Sequence, residues 1–237
     1  MTTYFIHGFL ESPQMWSFCS IKFHDAKYLS LPGHGHRINE DCPDTMEDIA
    51  ATLIKDINTK EPFQIIGHSM GGYLLPYFLR LGLKPNRLGI FHSKIGADDE
   101  AKKTQRQRAI DLVQENKSLY IRTMITHLFS DGFKVKKYQE IERLINEANS
   151  IQAKTIAACQ KAMMNRTCNL DFVLEQQIPL HFFAGDKDAG IPVEQVQMET
   201  NKLSHLATLD IQEGIGHMGQ WESPNTVLQW LEKYFID

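Results

Sequence analysis

The chain has 237 residues, of which 42% are hydrophobic and 23% are charged, a balance typical of a globular domain with one buried core. Its 29 acidic residues outnumber its 25 basic ones, and the resulting formal net charge of −4 argues against a nucleic-acid partner, whose phosphates attract a basic surface. The sequence contains no run of about 18 apolar residues, so it predicts no membrane-spanning helix. The first residues, MTTYFIHGFLES, lack the charged start and long apolar segment of a signal peptide, so we expect a cytoplasmic protein without a membrane partner.

The cysteines and the histidine pair in LPGHGH do not predict a metal site. Cys19, Cys42, Cys159 and Cys168 form no CxxC pair and have no histidines at zinc-finger spacing. Without an export signal, we interpret all four as reduced thiols. The two histidines of HGH, at positions 34 and 36, lack a third ligand at a suitable spacing. We therefore expect neither a metal nor a cofactor.

Short apolar segments that favour β-strands recur along the chain, separated by helical patterns. In order, the strand segments are TTYFIHG, AKYLSLPGHG, FQIIGHS, NRLGIFHS, PLHFFAGDKD and LATLDIQEGIGH. Between the second and third, DTMEDIAATLIKDINT carries apolar residues at spacings of three and four, which predicts a helix that Asp44 or Thr45 can cap. GGYLLPYFLRLGL and NTVLQWLEKYF indicate further helices. Strands that alternate with helices predict an α/β fold with a mostly parallel sheet covered on both faces.

The segment from about residue 98 to residue 170 interrupts this alternation. It contains two long, charged stretches with helical patterns and no convincing strand between them. No Gly- or Pro-rich linker separates it from the rest of the chain. We therefore interpret the chain as a single domain, 1–237, with a helical insert at about 98–170 that lies over the sheet.

The most specific motif is Gly67-His68-Ser69-Met70-Gly71, which follows a strand and precedes a helix. This is the G-x-S-x-G pattern of a sharp turn that exposes a nucleophilic serine. At such a turn the backbones approach closely, so that a Cβ at Gly67 or Gly71 would clash. The alternative is a glycine-rich turn with an idle serine.

A serine needs a base to remove its proton and an acid to orient that base. Downstream, PLHFFAGDKD ends in Asp186 and Asp188, and GIGHMGQWESP places His217 in a glycine-flanked loop. The order Ser, Asp, His is the one expected for this arrangement. We predict Ser69, Asp188 and His217 as a catalytic triad, although each residue alone is also explained as an ordinary loop or turn residue.

A carbonyl attacked by serine becomes an oxyanion, which two fixed backbone N–H groups can stabilise. The sequence predicts that Met70, directly after the nucleophile, supplies one of them. The loop FIHGFLES supplies the other from Phe9, because Gly8 allows the chain to approach. We interpret His7 as a residue that braces this loop.

These motifs together resemble the α/β-hydrolase superfamily, in its branch of small esterases, lactonases and C–C bond hydrolases. The resemblance implies an α/β-hydrolase fold, a helical cap over the site and Asp188 as the acid, with Asp186 as the fallback. Relatives commonly have two strands before the HG loop, so we expect about six strands and a shortened N-terminal edge. The motifs that carry the resemblance are His7-Gly8-Phe9, Leu31-Pro32-Gly33-His34-Gly35, the segment Gly67 to Gly72, Gly185 to Asp188 with Pro192, and Gly216-His217 with Glu222 and Pro224.

Several functions remain compatible with these residues. The favoured one is hydrolysis of a carboxylic ester, thioester or lactone of a small molecule through an acyl-enzyme. A lyase or C–C bond hydrolase, such as a menaquinone-synthase-like enzyme with a polyanionic substrate, would use the same triad. It would need inward-facing basic side chains, for which Arg80, Arg106, Arg108, Arg122 and Arg166 are available. A non-catalytic binding protein is a third reading. A serine at position 69 excludes a dehalogenase with a carboxylate nucleophile and a hydrolase with a cysteine nucleophile. The oligomeric state is not predicted.

Overall fold

The computed structural model describes residues 1–236, and a six-stranded sheet forms its centre. The strands are β1 (Thr2–Ile6), β2 (Lys27–Leu29), β3 (Phe63–His68), β4 (Leu88–Phe91), β5 (Leu180–Gly185) and β6 (Ala207–Gln212). Their order across the sheet is β2-β1-β3-β4-β5-β6, and every neighbouring pair is parallel. The predicted fold class is therefore confirmed, with one strand in each of the six predicted segments.

Helices connect the strands and cover the sheet. The α-helices are α1 (Met46–Leu53), α2 (Met70–Tyr73), α3 (Leu75–Arg80), α4 (Glu100–Leu128), α5 (Asp131–Lys136), α6 (Tyr138–Ala148), α7 (Ala153–Met164), α8 (Leu170–Glu175), α9 (Val193–Leu203), α10 (Gly219–Glu222) and α11 (Pro224–Phe235). Short 3-10 helices lie at Pro13–Cys19, Gly35–Arg37, Ile54–Asp56 and Ser204–Leu206. Thr45 caps α1 through its hydroxyl oxygen, which accepts a 3.1 Å hydrogen bond from the Asp48 N–H. Among residues 1–236, no helix combines the length and apolar character that a bilayer crossing needs.

Side-chain alternation along the strands divides the core into two apolar layers. Ile65 and Phe182 belong to the layer that α1 and α3 cover, whereas their neighbours Ile66 and Phe183 belong to the layer under α11. In the second layer the rings of Phe183 and Trp230 lie 5.5 Å apart, edge to face. Burial on both faces explains why the strands are nearly continuous apolar runs.

The parallel register places the carboxyl ends of the strands at one edge of the sheet. Ile6 of β1 pairs with Gly67 of β3, and the last residues of β3 and β4, His68 and Phe91, pair with each other. The loops that follow β1, β3, β4 and β5 therefore meet at this edge. Such an edge is where open α/β sheets place their sites.

Between β4 and β5 the chain forms five helices, α4 to α8, and residues 92–179 contain no strand. The long helix α4 is interrupted at Asn116, whose φ of −153° and ψ of 82° are not helical. This helical segment corresponds to the predicted insert at about 98–170. Its role as a cap remains a proposal.

A buried ion triad connects the start of this segment to its end. The Asp98 carboxylate, on the loop before α4, contacts Arg106 of α4, and its Oδ1 lies 2.8 Å from Nη2 of Arg166, which follows α7. All three side chains are at most 8% exposed. The Arg166 guanidinium also lies over the Tyr73 ring, 3.8 Å from its centroid.

We predict that Asp98→Ala lowers the free energy of unfolding by about 3 to 5 kcal/mol, because it leaves two guanidinium groups buried without their carboxylate. Chemical denaturation of the variant measures this loss. The matched control is Glu142→Ala, which removes the carboxylate paired with the exposed Arg122 and should change stability little. Equal losses in the two variants would contradict a structural role specific to the buried triad.

Candidate active site

Ser69 lies at a strained turn between β3 and α2. Its φ of 50° and ψ of −114° are unusual for a residue with a Cβ. Two hydrogen bonds hold the turn: the Ser69 N–H donates to the carbonyl of Phe91, the last residue of β4, at 3.0 Å, and the hydroxyl of Ser93, just after β4, donates to the Ser69 carbonyl at 2.7 Å. The serine side chain is partly exposed, although the residues around it are buried.

The glycines on either side of Ser69 are required by close backbone contacts. A Cβ on Gly67 would lie 2.4 Å from the carbonyl group of Gly71. A Cβ on Gly71 would lie 2.7 Å from the Ile6 carbonyl oxygen and 2.8 Å from that of His7. All three distances are shorter than van der Waals contact, so the turn closes on itself and packs against the end of β1 only when these two positions lack side chains.

The structure brings Ser69, His217 and Asp188 together in one hydrogen-bonded chain. His217 Nε2 lies 2.8 Å from Ser69 Oγ, and His217 Nδ1 lies 2.8 Å and 2.9 Å from the two carboxylate oxygens of Asp188. His217 and Asp188 are 3% and 7% exposed. With Nδ1–H donating to Asp188, Nε2 is left as the acceptor for the serine proton.

The Asp188 carboxylate is buried and accepts further hydrogen bonds from its own loop. The N–H groups of Gly190 and Ile191 each donate to Oδ1 at 2.8 Å. Burial alone would raise the pKa of Asp188, but the facing histidines, His217 foremost, hold the pKa well below its usual value. Asp186, the fallback acid, instead accepts a 2.6 Å hydrogen bond from the Gly214 N–H and pairs with Lys187, and in the described residues no hydrogen bond joins it to His217.

A second histidine, His92, contacts the same carboxylate and was not anticipated from the sequence. Its Nδ1 lies 3.1 Å from Asp188 Oδ2, and it is buried immediately after β4 with a φ of 44°. Burial lowers the pKa of His92 to about 4, so the ring is neutral and donates from Nδ1. Its position at a strand end, in FHS, was the available signal, because β4 neighbours β5, which leads into Asp188.

The loop after β1 lies beside the serine, as a source of backbone donors should. Gly8 approaches so closely that a Cβ there would lie 3.2 Å from Ser69 Cβ. Its N–H donates to Glu11 Oε2 at 2.6 Å, whereas the N–H groups of Phe9 and Met70 donate to no other group in the described part of the chain. The His7 ring connects the start of this loop to the segment after β2. Its Nδ1 donates to the Gly8 carbonyl at 2.8 Å, and its Nε2 accepts from the Leu31 N–H at 3.0 Å.

The side chains that could ligate a metal are already engaged in hydrogen bonds. One ligand atom each from His92, Asp188 and His217 lie within 4.8 Å of one another. However, Nδ1 of His92 and Nδ1 of His217 both lie at hydrogen-bond distance from the Asp188 carboxylate, and His217 Nε2 lies 2.8 Å from Ser69 Oγ. The two HGH histidines also hydrogen-bond to separate groups. His34 Nδ1 donates to the Pro32 carbonyl, and His36 Nδ1 lies 2.9 Å from the Ser30 hydroxyl.

A cavity of about 540 Å³ opens beside the loop after β1. Apolar side chains line it together with polar and charged ones. The apolar side chains include Leu10, Met15, Leu144, Ile151 and Trp221, and the charged ones are Glu11, Arg143 and Glu147. None of the three triad residues belongs to this lining. The apolar part of the lining could accommodate an apolar group of a small molecule.

We predict that Gly67→Ala lowers the free energy of unfolding by roughly 1 to 3 kcal/mol or more, because the added methyl group overlaps the backbone at Gly71. Thermal unfolding followed by circular dichroism measures this loss. Gly132→Ala is the control, since nothing lies within 4 Å of a Cβ at that helical position, and it should be neutral or slightly stabilising. A Gly67→Ala protein as stable as the wild type would show that the turn has room.

We predict that stability decreases as the pH falls from about 6.5 to about 4. Burial lowers the pKa of His34 and His92 to about 4 and that of His7 well below its ordinary value. Such groups bind protons first in the unfolded chain, so each can remove up to about 3 kcal/mol across this window. The midpoint of urea unfolding, measured from pH 7.5 to pH 4.5, tests this.

The matched variants for this measurement are His34→Gln and His24→Gln, since His34 is buried and His24 is exposed. The first should flatten the pH dependence and the second should leave it unchanged. A wild-type midpoint that does not change with pH would contradict neutral buried histidines.

Comparison with known proteins identifies the family. The family model described as "Alpha/beta hydrolase family" matches residues 4–229. No curated protein sequence gives a significant match. Similar solved structures include a thermophilic esterase from Thermogutta terrifontis, solved with malate bound (TM-score 0.84, 21% identity, covering 99% of this chain and 89% of that one).

A bromoperoxidase from Bacillus anthracis is similar to this chain with a TM-score of 0.84 and 14% identity, over 100% of this chain and 92% of that one. MenH from S. aureus is similar with a TM-score of 0.76 and 19% identity, over 98% and 94% of the two chains. At these identities the structural likeness shows the fold alone. Together with the family match across nearly the whole sequence, it shows that the chain belongs to the alpha/beta hydrolase family.

Proposed function

We propose that the chain is a serine hydrolase that cleaves a carboxylic ester, thioester or lactone of a small molecule. The observation that carries this proposal is the continuous hydrogen-bonded chain from Ser69 Oγ through His217 to the Asp188 carboxylate. A serine hydroxyl becomes nucleophilic only when a positioned base takes its proton, and this geometry supplies that base.

In the proposed reaction, Ser69 Oγ attacks the carbonyl carbon while His217 Nε2 takes the hydroxyl proton. The carbonyl oxygen becomes an oxyanion, which the N–H groups of Phe9 and Met70 stabilise. His217 then returns the proton to the leaving alcohol, thiol or tethered hydroxyl, and an acyl-serine forms. Water then attacks the acyl-serine while His217 takes a proton from it. His217 returns that proton to Ser69 Oγ, which releases the carboxylic acid and restores Ser69. Asp188 holds the imidazole in the required tautomer and stabilises its transient positive charge.

The helical segment at about 98–170 is proposed as the cap of this site. It contributes Leu144 and Ile151 to the 540 Å³ cavity, which Leu10, directly after Phe9, also lines. The apolar part of this lining would suit an apolar acyl or alcohol group, although the charged side chains of Glu11, Arg143 and Glu147 belong to the same lining. Such a substrate would be a small molecule, and the reaction requires no cofactor.

A lyase or C–C bond hydrolase with a polyanionic substrate is less well supported. Such a substrate would need free basic groups, yet most of the candidate arginines are paired within the protein. Arg106 and Arg166 contact Asp98, Arg122 contacts Glu142, and Arg80 Nε donates to Asn169 Oδ1 at 2.8 Å. A non-catalytic binding role gains no support either, because all three triad members are present and joined.

We predict that a fluorophosphonate probe forms one adduct per chain, and that Ser69→Ala and His217→Ala abolish both the adduct and the hydrolysis of p-nitrophenyl esters. Asp188→Asn should reduce kcat by roughly 10⁴-fold, because an amide favours the wrong imidazole tautomer. Intact mass and ester kinetics measure these effects.

Asp186→Asn is the control for the acid, since in the described residues no hydrogen bond joins that carboxylate to His217, and it should retain nearly full activity. If Asp186→Asn lowers kcat by orders of magnitude while Asp188→Asn leaves it nearly unchanged, the assignment of the acid is wrong. A wild-type protein without an adduct or ester turnover would favour the lyase or binding alternative.

A further inference from the structure

Glu11 is a buried carboxylate whose position no step of the proposed reaction explains. It lies on the loop after β1, and its side chain is 7% exposed. Three N–H groups point at it: the Gly8 backbone N–H and His68 Nδ1 contact Oε2 at 2.6 Å and 2.7 Å, and Gln220 Nε2 contacts Oε1 at 2.9 Å. A carboxylate that accepts three hydrogen bonds is fixed in its orientation.

The partners of His68 determine its charge. Its Nδ1 faces the Glu11 carboxylate, and its Nε2 lies 3.0 Å from the His217 carbonyl oxygen. Both of these atoms are acceptors only, so both ring nitrogens must donate, and a ring that donates from both nitrogens is an imidazolium. His68 is 1% exposed, which makes it a buried cation paired with a buried anion.

The other charged and titratable groups around His68 favour the same charge state. Burial lowers the pKa of His68, but the Glu11 carboxylate, the His217 carbonyl and Asp188 together outweigh burial, and the pKa is raised. The negative charge of Asp188 is one of the contributions that raise the pKa of His68. The rings of His92 and His217 lie 6.0 Å and 5.1 Å from that of His68, and the low pKa of His92 keeps it uncharged there.

The Glu11–His68 pair connects three separate segments of the candidate site. Glu11 lies with Phe9 on the loop after β1, and His68 directly precedes Ser69. The His217 carbonyl accepts from His68, and Gln220, three residues after His217, donates to Glu11. We propose that Glu11 is a positioning residue, whose ion pair with His68 holds the loop of Phe9, the serine turn and the loop of His217 in one fixed arrangement.

This arrangement also decides which backbone amide remains available. The Gly8 N–H donates to the Glu11 carboxylate. Leu10, with a φ of 62°, reverses the chain direction between the two residues. The next amide, that of Phe9, donates to no group in residues 1–236. The loop geometry is a property of the folded chain, whereas its value for catalysis rests on the proposed hydrolase function.

The first test measures the charge of His68 without any substrate. With ¹⁵N-labelled histidine at pH 7.5, the signal that disappears in His68→Gln should have both ring nitrogens protonated in the wild type. In Glu11→Gln, His68 should lose its positive charge. A wild-type His68 with only one ring proton would overturn the proposal.

The second test measures the coupling of the segments by amide hydrogen exchange. Glu11→Gln should speed exchange in residues 8–11 and also in residues 216–220, which are distant in sequence. The exposed carboxylate Glu61 provides the control, and Glu61→Gln should change neither segment. Unchanged exchange at 216–220 in Glu11→Gln would overturn the coupling, whether or not the protein hydrolyses esters.

The third test separates positioning from substrate contact, since Glu11 also lines the 540 Å³ cavity. Glu11→Gln should lower kcat by roughly 10- to 100-fold with KM nearly unchanged, because misplaced oxyanion donors weaken only the transition state. A raised KM with unchanged kcat would assign Glu11 to substrate binding and overturn the positioning role.

These tests distinguish the two proposals. A wild-type protein without ester turnover or adduct contradicts the hydrolase function, while the histidine and exchange results still decide the role of Glu11. Should Glu11→Gln fail to fold, Gln220→Ala removes one donor from the same carboxylate and should speed exchange in both segments to a smaller extent. Exchange in Gln220→Ala identical to the wild type would then overturn the coupling.

Discussion

The candidate site depends on keeping the Asp188 carboxylate ionised in a place from which water is excluded. A buried anion is unfavourable unless hydrogen bonds and opposite charge replace its hydration. Here the replacement is complete: two loop amides, His217 and the neutral His92 all donate to it. The same groups fix the orientation of the carboxylate, so one set of contacts both stabilises the charge and directs the His217 ring toward Ser69.

Sheet topology makes this concentration of donors possible. Residues from β1, β3, β4 and β5 reach the site because all these strands run in one direction and end at one edge. The steric requirement is equally strict, since Gly71 lies against the carbonyl groups of Ile6 and His7. Backbone packing thus sets where the serine turn can lie, and hydrogen bonds with Phe91 at the end of β4 and with Ser93 just after it hold Ser69 in its strained conformation.

The fold could be predicted from the sequence because its signals are local, and the order of Ser69, Asp188 and His217 predicted that these side chains meet, while their catalytic roles stay a proposal. Strand segments show as apolar runs, and the Ser69 motif is contiguous. The contacts of His92 and Glu11 are not local: Glu11 meets His68, 57 residues away, and His92 meets Asp188, 96 residues away. A histidine after a strand or a glutamate in a loop has many uses, so only the register of the sheet reveals these partners.

The buried charges of this chain are largely compensated by one another, and this determines what remains to act on a substrate. Asp98 is matched by two arginines, Glu11 by His68, and Asp188 by its ring of donors. Beside the serine, the Gly8 amide donates to Glu11 and the Ser69 hydroxyl is hydrogen-bonded to His217, whereas the Phe9 amide has no partner among the described residues. A buried polar group without a partner is unfavourable in isolation. Free donors beside a serine are therefore a cost of folding that a developing oxyanion would offset.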